Sequence, residues 1–277
     1  MQGCSVVVTV RNEASRIARL LASLEGQQGL REVIVVDAAS SDGTVAEARR
    51  FEGRLPLRVL SQPCSRGEGR NLGAREATGD LLAFIDGDCE AAPGWLAALA
   101  AAWGGDPRRI VAGATTVVGP ARYSRLHRVE LPHRGQDTTW PSCNLAYPRG
   151  LFLELGGFDA AFVTAEDIDL NFRAVEAGAR IVHAPAAKVT AQARGTLLAF
   201  LRQAYWNGYG RKQLTLKHGS LWHDYSLRRL LRLDALGLAA ILRLLSGLVG
   251  YLDAKLGRLP PAAAAQASTA APPDAAS

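Results

Sequence analysis

Two aspartates at the end of a predicted strand are the first residues whose types and spacing suggest chemistry. Asp86-Gly87-Asp88 directly follows the apolar segment Leu81–Ile85, and two carboxylates that flank a glycine at a strand end can face one divalent ion. Hard oxygen ligands of this kind favour magnesium or manganese over softer metals. Aspartate and glycine are also favoured in turns for backbone reasons, so the tripeptide predicts a metal site only together with other motifs.

A second acidic pair opens a predicted helix in the second half of the chain. Glu166 and Asp167 begin the segment Glu166–Ala177, which Gly178 ends. A carboxylate placed in this way can act as a base that removes a proton from an attacking hydroxyl. Acidic residues also favour the first turn of any helix, because they interact favourably with its dipole. The pair alone leaves both interpretations open.

Alternating strands and helices position these polar groups. The alternation is typical of an α/β fold with a doubly wound, mostly parallel (mixed) sheet and helices on both faces, in which ligands bind beyond the carboxyl ends of the strands. Thr9, Arg11 and Glu13 follow the first predicted strand, and Asp37 ends the second. Asp37 is alternatively a turn or helix-capping residue. The predicted strands are Ser5–Val10, Glu32–Val36, Leu57–Leu60, Asp80–Ile85, Ile110–Val118, Cys143–Tyr147 and Arg180–His183.

Six short segments, in a fixed order, resemble family 2 of the inverting glycosyltransferases, which have the GT-A fold. The similarity runs from Ser5 to about Arg211, roughly three quarters of the chain. Each segment is a weak pattern, but six in the family's order and approximate spacing form a specific signal. The segments are Val7–Glu13 (VVTVRNE), Val35–Thr44 (VVDAASSDGT), Gly69–Ala74 (GRNLGA), Ala77–Asp88 (ATGDLLAFIDGD), Gly156–Asp159 (GGFD) and Ala165–Arg173 (AEDIDLNFR).

The resemblance implies an activity and a set of site residues. It implies transfer of a sugar, with inversion, from a UDP- or GDP-linked nucleoside-diphosphate sugar to a saccharide or lipid-linked acceptor. Asp167 would be the catalytic base, and Glu166 would contact the acceptor or support the base. Asp88 and Asp86 would hold a magnesium or manganese ion, and Asp37 would accept a hydrogen bond from the nucleobase. The implied donor-binding residues are Thr9, Arg11, Glu13, Asp37, Arg70 and Asp86.

Two features depart from the family's pattern. Many relatives carry a histidine after the strand that follows the acidic helix, and it can complete the metal site, but Ala191 stands near that position here. His183 lies earlier and is interpreted as a packed strand residue, so the third protein ligand is left open. The Q-x-x-R-W signature of polymerising synthases is absent, which favours transfer of a single sugar over chain elongation.

Composition and other motifs exclude several classes of protein. The 277 residues carry a formal net charge of +6, with 48% hydrophobic and 21% charged residues, as in a globular protein. The basic C-terminal part lacks the interleaved aromatics of an RNA-binding motif, so no nucleic-acid partner is expected. Gly67-Glu68-Gly69 has the wrong spacing to Gly73 for a dinucleotide-binding fingerprint. A nucleotidyltransferase would need a glycine-rich basic loop where Val10–Ala14 stands.

The cysteines and the N-terminus bear on the cellular compartment. The four cysteines are widely spaced, without a C-x-x-C pair, and are interpreted as reduced thiols of a cytoplasmic protein. No signal peptide is expected, because the first residues lack its basic and long apolar regions.

A catalytically silent nucleotide-sugar-binding scaffold is the alternative to an enzyme, and Ala191 is the only feature that favours it.

The C-terminal part divides into a catalytic-domain end, a basic segment and a tail. The GT-A domain is expected over residues 1–220, a basic amphipathic helical segment over 221–258, and a disordered Ala/Pro-rich tail over 259–277. Asp234 and Arg243 make Leu233–Leu252 a poor spanning helix. Two interpretations stay open: a helix on an anionic membrane surface, or one packed on the catalytic domain. The first would place the protein peripherally on the inner face of the cell membrane, in cell-envelope polysaccharide or glycolipid synthesis.

Overall fold

The computed structural model describes residues 3–119, 130–192, 196–219 and 238–258, and within them ten strands and eight helices. The strands are β1 (Cys4–Val10), β2 (Leu30–Asp37), β3 (Leu57–Ser61), β4 (Leu81–Ile85), β5 (Cys89–Ala91), β6 (Arg109–Val118), β7 (Pro132–His133), β8 (Gln136–Asp137), β9 (Asn144–Pro148) and β10 (Arg180–Gln192). The helices are α1 (Ile17–Leu24), α2 (Thr44–Arg49), α3 (Arg66–Glu76), α4 (Trp95–Trp103), α5 (Arg149–Glu154), α6 (Glu166–Glu176), α7 (Leu197–His218) and α8 (Leu238–Lys255).

Eight of these strands form one mixed sheet, in the order β3-β2-β1-β4-β9-β6-β10-β5. The half from β3 to β4 is parallel throughout, and β6 and β10 are also parallel to each other. β9 runs antiparallel to β4 and β6, and β5 runs antiparallel to β10. This arrangement confirms the predicted mostly parallel sheet. The carboxyl ends of β1, β2 and β4 lie along one edge, where the sequence places its polar clusters.

Both faces of the sheet are buried under helices. Val6 and Val8 of β1 belong to one apolar cluster, which α1 and α4 cover. Val7 points to the other face, into a cluster with residues of α3, α5 and α6. A parallel strand covered on both faces needs apolar residues at every position, which explains the unbroken valine run of β1.

The sequence predictions missed several elements and shortened another. α4, with the sequence WLAALAAAW, has no polar face, so helical periodicity does not mark it. The strand predicted over Arg180–His183 extends to Gln192 in β10, because the chain resumes pairing with β6 after a register shift between Ala184 and Lys188. Pro185 lies inside that irregularity, where its missing N–H removes no ladder hydrogen bond.

The two C-terminal helices pack on each other, and α7 also contacts the sheet domain. Lys217, near the end of α7, forms an ion pair with Asp169 of α6 at 2.8 Å. α8 packs against α7, with the Ser246 hydroxyl donating to the carbonyl of Leu201 at 2.8 Å. Within the described ranges, each helix is too short or too polar to cross a bilayer. The boundary predicted at residue 220, residues 221–237 of the predicted basic segment and the tail 259–277 lie outside the described residues.

Candidate active site

The loops that follow β1 and β2 are joined by hydrogen bonds. The N–H of Asn12 donates to Ser40 Oγ at 2.9 Å, and the N–H of Ser41 donates to Asn12 Oδ1 at 2.9 Å. The N–H of Glu13 donates to Thr44 Oγ1 at 2.8 Å. Two of the six sequence segments therefore form one connected rim at the carboxyl edge of the sheet.

Two buried polar atoms at this rim have no hydrogen-bond partner in the described part of the chain. Asp37 is 1% exposed, and its Oδ2 accepts from the Ser40 N–H at 3.1 Å and the Ser61 hydroxyl at 2.8 Å. The other oxygen of Asp37, Oδ1, and the hydroxyl of Thr9 are buried without a partner. A buried polar group that lacks a partner costs about 1–3 kcal/mol. A ligand that hydrogen-bonds these atoms would recover that cost, as the predicted nucleobase contact would.

The other two residues predicted for this pocket, Arg11 and Glu13, lie at its edges. Arg11 is exposed. Burial raises the pKa of Cys64 to about 11, and the charges of Asp37 and Arg11 act on the same thiol in opposite directions, so both lie near it. Glu13 lies against Gly87, where an added Cβ would be 3.5 Å from Glu13 Cγ. The first loop therefore reaches the D-G-D segment.

Arg70 connects the D-G-D segment to the acidic helix α6. Its side chain is 3% exposed; Nη2 donates to Asp86 Oδ1 at 2.7 Å, and Nη1 donates to Glu166 Oε1 at 2.8 Å. Burial alone would lower the pKa of Arg70, but the carboxylates of Asp86, Glu166 and Asp167 raise it above its ordinary value. The guanidinium therefore stays charged. Three predicted site residues, up to 96 positions apart in sequence, meet at this bridge.

A double hydrogen bond holds α3, and with it Arg70, against the GGFD segment. The Asn71 side chain donates from Nδ2 to the Phe158 carbonyl at 2.7 Å, and its Oδ1 accepts from the Phe158 N–H at 2.8 Å. Gly157 has φ +71°, and an added Cβ would lie 2.4 Å from Asn71 Oδ1. Only glycine fits there without displacing Asn71. The GRNLGA and GGFD segments are therefore two halves of one structural unit.

Asp167, the predicted base, has a raised pKa. The backbone N–H of Ser142 donates to its Oδ2 at 3.0 Å, and the Ser142 hydroxyl lies 3.4 Å from the same oxygen. Burial is the largest influence and the neighbouring Glu166 carboxylate the second; they raise the pKa of Asp167 to about 6, against the lowering effects of the Ser142 N–H and Arg70. A carboxylate with this pKa is well matched to accepting a proton near neutral pH.

Asp86 and Asp88 fit a hard divalent ion. Both are partly exposed just beyond β4, and both offer carboxylate oxygens, the donors that magnesium and manganese prefer. Among the described residues, no cluster of three or more His, Cys, Asp or Glu side chains could hold an ion by itself. Magnesium is commonly bound by one or two carboxylates together with substrate phosphates and water. The two aspartates suit an ion of that kind.

The position that departs from the family's pattern lies beside this pair of aspartates. Ala191 of β10 is the register partner of Cys89, the residue that follows Asp88. His183 lies on β10 as predicted, but it is exposed rather than buried. Its ring stacks on Trp140, with centroids 4.8 Å apart, so it is packed on one side only.

Three of the four non-glycine residues with positive φ in the described chain flank this site. Asn12 and Ala39 follow β1 and β2, with φ of 55° and 53°, and Ala165 directly precedes α6 with φ of 64°. The left-handed conformation costs roughly 1–2 kcal/mol for a residue such as alanine, whereas asparagine adopts it more readily. Strain of this kind concentrates at functional sites, and here it lies at the loops that carry the predicted site residues.

Sequence reasoning missed the residues that support the site. Ser142 and Ser61 lie in polar segments where serine gives no distinguishing signal. Asn71 belongs to a quoted segment, and its position directly after Arg70 was the available indication of a role. Its partner Phe158 lies 87 residues away, so the pairing required the fold.

Comparisons with known proteins identify the family. Residues 5–154 match the profile of glycosyl transferase family 2, and residues 83–254 match that of glycosyl transferase family group 2. The first match covers more than half of the chain. The chain therefore belongs to glycosyl transferase family 2.

The curated relatives are longer proteins. A pre-mycofactocin glycosyltransferase of Mycobacterium tuberculosis is 32% identical in an alignment 232 residues long, which covers 77% of this chain and 48% of the relative. The glycosyltransferase AglE of Haloferax volcanii is 28% identical over 63% of this chain and 62% of its own length. The chain thus spans about half to three fifths of the length of these relatives.

Solved structures share the fold. The mannosyltransferase PcManGT of Pyrobaculum calidifontis, in complex with GDP-Man and Mn²⁺, aligns with a TM-score of 0.62 and 23% identity over 96% of this chain and 78% of that one. TarS of S. aureus, in complex with UDP, aligns with a TM-score of 0.58 and 22% identity over 74% and 64%. At these identities the likeness shows the fold, which is GT-A.

Proposed function

We propose that this protein is an inverting glycosyltransferase that moves a single sugar from a UDP- or GDP-linked donor, with magnesium or manganese as its cofactor. The observation that carries the proposal is the Arg70 bridge, which holds Asp86 of the D-G-D segment close to Glu166 and therefore close to Asp167. Membership of the family supports the reaction class. The structural neighbours bound to UDP or to GDP-Man and Mn²⁺ support the class of donor and cofactor.

The donor's nucleoside binds at the rim formed by the loops after β1 and β2. The unpartnered Oδ1 of Asp37 accepts a hydrogen bond from the nucleobase, and Thr9 lies on the neighbouring strand β1, one residue before Val10, the register partner of Asp37. Arg11 and Glu13 line the edges of the pocket. Asp86 and Asp88 hold the divalent ion, which when bound supplies positive charge to the leaving diphosphate.

Asp167 acts as the catalytic base. Its carboxylate takes the proton of the acceptor hydroxyl while that oxygen bonds to the anomeric carbon, and the bond from that carbon to the diphosphate oxygen breaks on the opposite face. The bonding electrons leave with the nucleoside diphosphate. Ser142 fixes the orientation of the carboxylate through its N–H. Glu166, paired with Arg70, raises the proton affinity of Asp167.

The acceptor is a saccharide or a lipid-linked molecule of cell-envelope polysaccharide or glycolipid synthesis. A lipid-linked acceptor would require the protein to act at a membrane surface, bound peripherally to the inner face of the cell membrane. The excess of basic over acidic residues in the C-terminal helices supports this assignment: α7 contains four Lys and Arg residues and α8 two, against one aspartate.

Slow hydrolysis, with water as acceptor, tests the reaction without a known acceptor. Proton NMR should show that UDP- or GDP-sugars release sugar of inverted anomeric configuration. Asp167→Asn should lower the turnover number by roughly 10²–10⁴-fold, because it removes the base. Glu154→Gln, which removes an exposed acidic side chain of α5, is the matched control and should keep full activity. Retained configuration would contradict inversion, and undiminished activity of Asp167→Asn would contradict the assignment of the base.

A silent nucleotide-sugar-binding scaffold is the second candidate. The observation in its favour is that Ala191, which cannot bind a metal, lies beside the D-G-D segment. A scaffold would bind a nucleotide sugar but would release no nucleotide from it in the hydrolysis experiment described above, even with the divalent ion present.

A further inference from the structure

The outer face of α8 exposes a continuous stripe of large apolar side chains. They recur every three or four residues, so they share one side of the helix. Each is between 44% and 62% exposed. A helix on a water-soluble domain normally turns such a stripe toward the core. The stripe consists of Ile241, Leu244, Leu245, Leu248, Val249 and Leu252, and is continued by Leu256.

The opposite face of α8 carries small residues and packs closely on α7. A Cβ added at Gly250 would lie 2.0 Å from the carbonyl oxygen of Tyr205, and one added at Gly208 of α7 would lie 1.8 Å from the carbonyl oxygen of Gly247. Ser246 donates to the α7 backbone from the same face. Small residues facing a neighbouring helix, with large apolar residues facing outward, are typical of helix pairs whose surroundings are lipid.

The charges of the helix pair favour an anionic partner. α7 and α8 contain six Lys and Arg residues and a single acidic residue, Asp253. Asp253 is turned toward α7, where it accepts a hydrogen bond from the Tyr205 hydroxyl at 2.9 Å. Lys255 is exposed and follows Leu248 and Leu252 at helical spacing, so a basic side chain borders the apolar stripe. A second copy of this chain on the same face would bring two basic helix pairs together, whereas anionic headgroups would balance their positive charge.

The charged residues of α8 indicate how the helix lies relative to the lipid bilayer. Arg243, Asp253 and Lys255 interrupt α8, and in the described chain no helix meets the requirements for crossing a membrane. An amphipathic helix with a basic border lies instead in the interfacial plane, with its apolar side chains in the acyl boundary.

We propose that the Ile241–Leu256 stripe of α8 docks on the surface of an anionic lipid bilayer, parallel to the membrane plane, with the exposed Lys255 near the lipid phosphates. The proposal extends the proposed function to a membrane surface, and it rests on that function for the lipid-linked acceptor. Membrane binding itself is measured without sugar transfer, so the two can fail separately.

Flotation of the full chain with vesicles tests the docking surface. The protein should float with vesicles of phosphatidylcholine containing about 30% phosphatidylglycerol, less with phosphatidylcholine alone, and less again at high salt. Leu245→Gln/Leu248→Gln should lower the partition coefficient about tenfold or more, because both side chains leave the acyl boundary. Leu153→Gln, at a leucine of α5 that is 39% exposed, should bind as the wild type does. An unchanged melting temperature, together with unchanged binding of UDP or GDP, would show that the variants are folded.

Each other outcome overturns the proposal. Absence of flotation, equal flotation of the double variant, or equal binding to neutral and anionic vesicles would each contradict it. Sedimentation that shows a dimer dissociated by the double variant, with no vesicle binding, would assign the stripe to a second copy. Vesicle binding by a protein that releases no nucleotide from any donor would leave the docking surface intact and contradict the proposed function.

Discussion

At the scale of single residues, Arg70 organises the site because its guanidinium has two separate donor ends. Nη2 holds Asp86 and Nη1 holds Glu166, two carboxylates from different elements. A lysine ammonium is a compact point charge and does not present this planar fork. Removing one member of a buried ion pair costs about 3–5 kcal/mol because the remaining charge is uncompensated. Under the proposed function, Arg70, which was predicted to bind the donor, would also position Asp86 and Glu166 relative to each other.

The raised pKa of Asp167 predicts how activity depends on pH. The base must be deprotonated, so kcat should rise with pH through about 6 and reach a plateau above neutrality. Glu166→Gln should move this rise to lower pH, because the Glu166 charge is one of the causes of the raised pKa. Steady-state hydrolysis of the donor sugar between about pH 5 and 8 measures both profiles.

Ser142→Ala is the control for this pH profile. It removes the hydroxyl contact at 3.4 Å but keeps the N–H bond at 3.0 Å, so the midpoint should change little. A rise in activity at the same pH in wild type and Glu166→Gln, or a fall between pH 5 and 7, would be incompatible with Asp167 as the base.

At the scale of elements, α3 is the part of the fold that sets the geometry of the site. The helix begins with a capping box, in which Ser65 and Glu68 each accept a hydrogen bond from the other's backbone N–H. Asn71 then fixes the helix to the GGFD segment, and Arg70 reaches across from the next position. The glycines of α3 allow it to pack closely on β1, since a Cβ added at Gly73 would lie 2.5 Å from Val7 Cγ1 and one at Gly69 would lie 2.6 Å from Thr9 Cγ2.

Gly157→Ala and Gly156→Ala form a matched pair that tests this role. Both glycines have positive φ, +71° and +76°, so each substitution should cost roughly 1–2 kcal/mol of unfolding free energy from the backbone. A Cβ at Gly156 meets nothing within 4 Å, whereas one at Gly157 meets Asn71 at 2.4 Å. Gly157→Ala should therefore be the less stable in thermal melts and should also weaken nucleotide binding. Equal effects of the two variants would show that the Asn71 contact does not position the site.

Strand prediction succeeded where burial leaves a simple pattern. β1, β2 and β4 are short, mainly apolar runs because both of their faces are covered, and polar residues stand at or directly after their ends. α4 and β5 were not predicted, because an all-apolar nine-residue helix and a three-residue strand have no periodicity to detect. Pairing between distant strands, such as β9 between β4 and β6, depends on tertiary packing and cannot be inferred from local sequence.

At the scale of the whole molecule, the candidate site residues could be predicted from the sequence, but the residues with which they pair could not. Asp86, Asp88, Glu166 and Asp167 stand out because acidic residues follow apolar segments in recognisable motifs. The ion pairs of Arg70 join positions 16 and 96 residues apart, so only the assembled sheet brings them together. The exposed stripe of α8 also needed the structure, because sequence alone left open which face of the helix packs on the protein.

The molecule separates the proposed chemistry from the proposed membrane contact. The site lies at the carboxyl edge of the sheet, and the apolar stripe lies on α8, which packs on α7. α7 in turn contacts the acidic helix α6 through Lys217 and Asp169. The sheet domain and the helix pair are therefore connected through α6, the element that carries Asp167.

Calorimetric titration with UDP, GDP and their sugar conjugates, with and without manganese, tests the central claim most directly. The protein should bind one nucleotide class, with affinity that depends on the ion and is lost in Asp88→Ala. Glu90→Ala, two positions further along in β5, should bind as the wild type does. Binding that is independent of the ion and unchanged in Asp88→Ala, or no binding of any nucleotide by the folded protein, would contradict a metal-assisted nucleotide-sugar site.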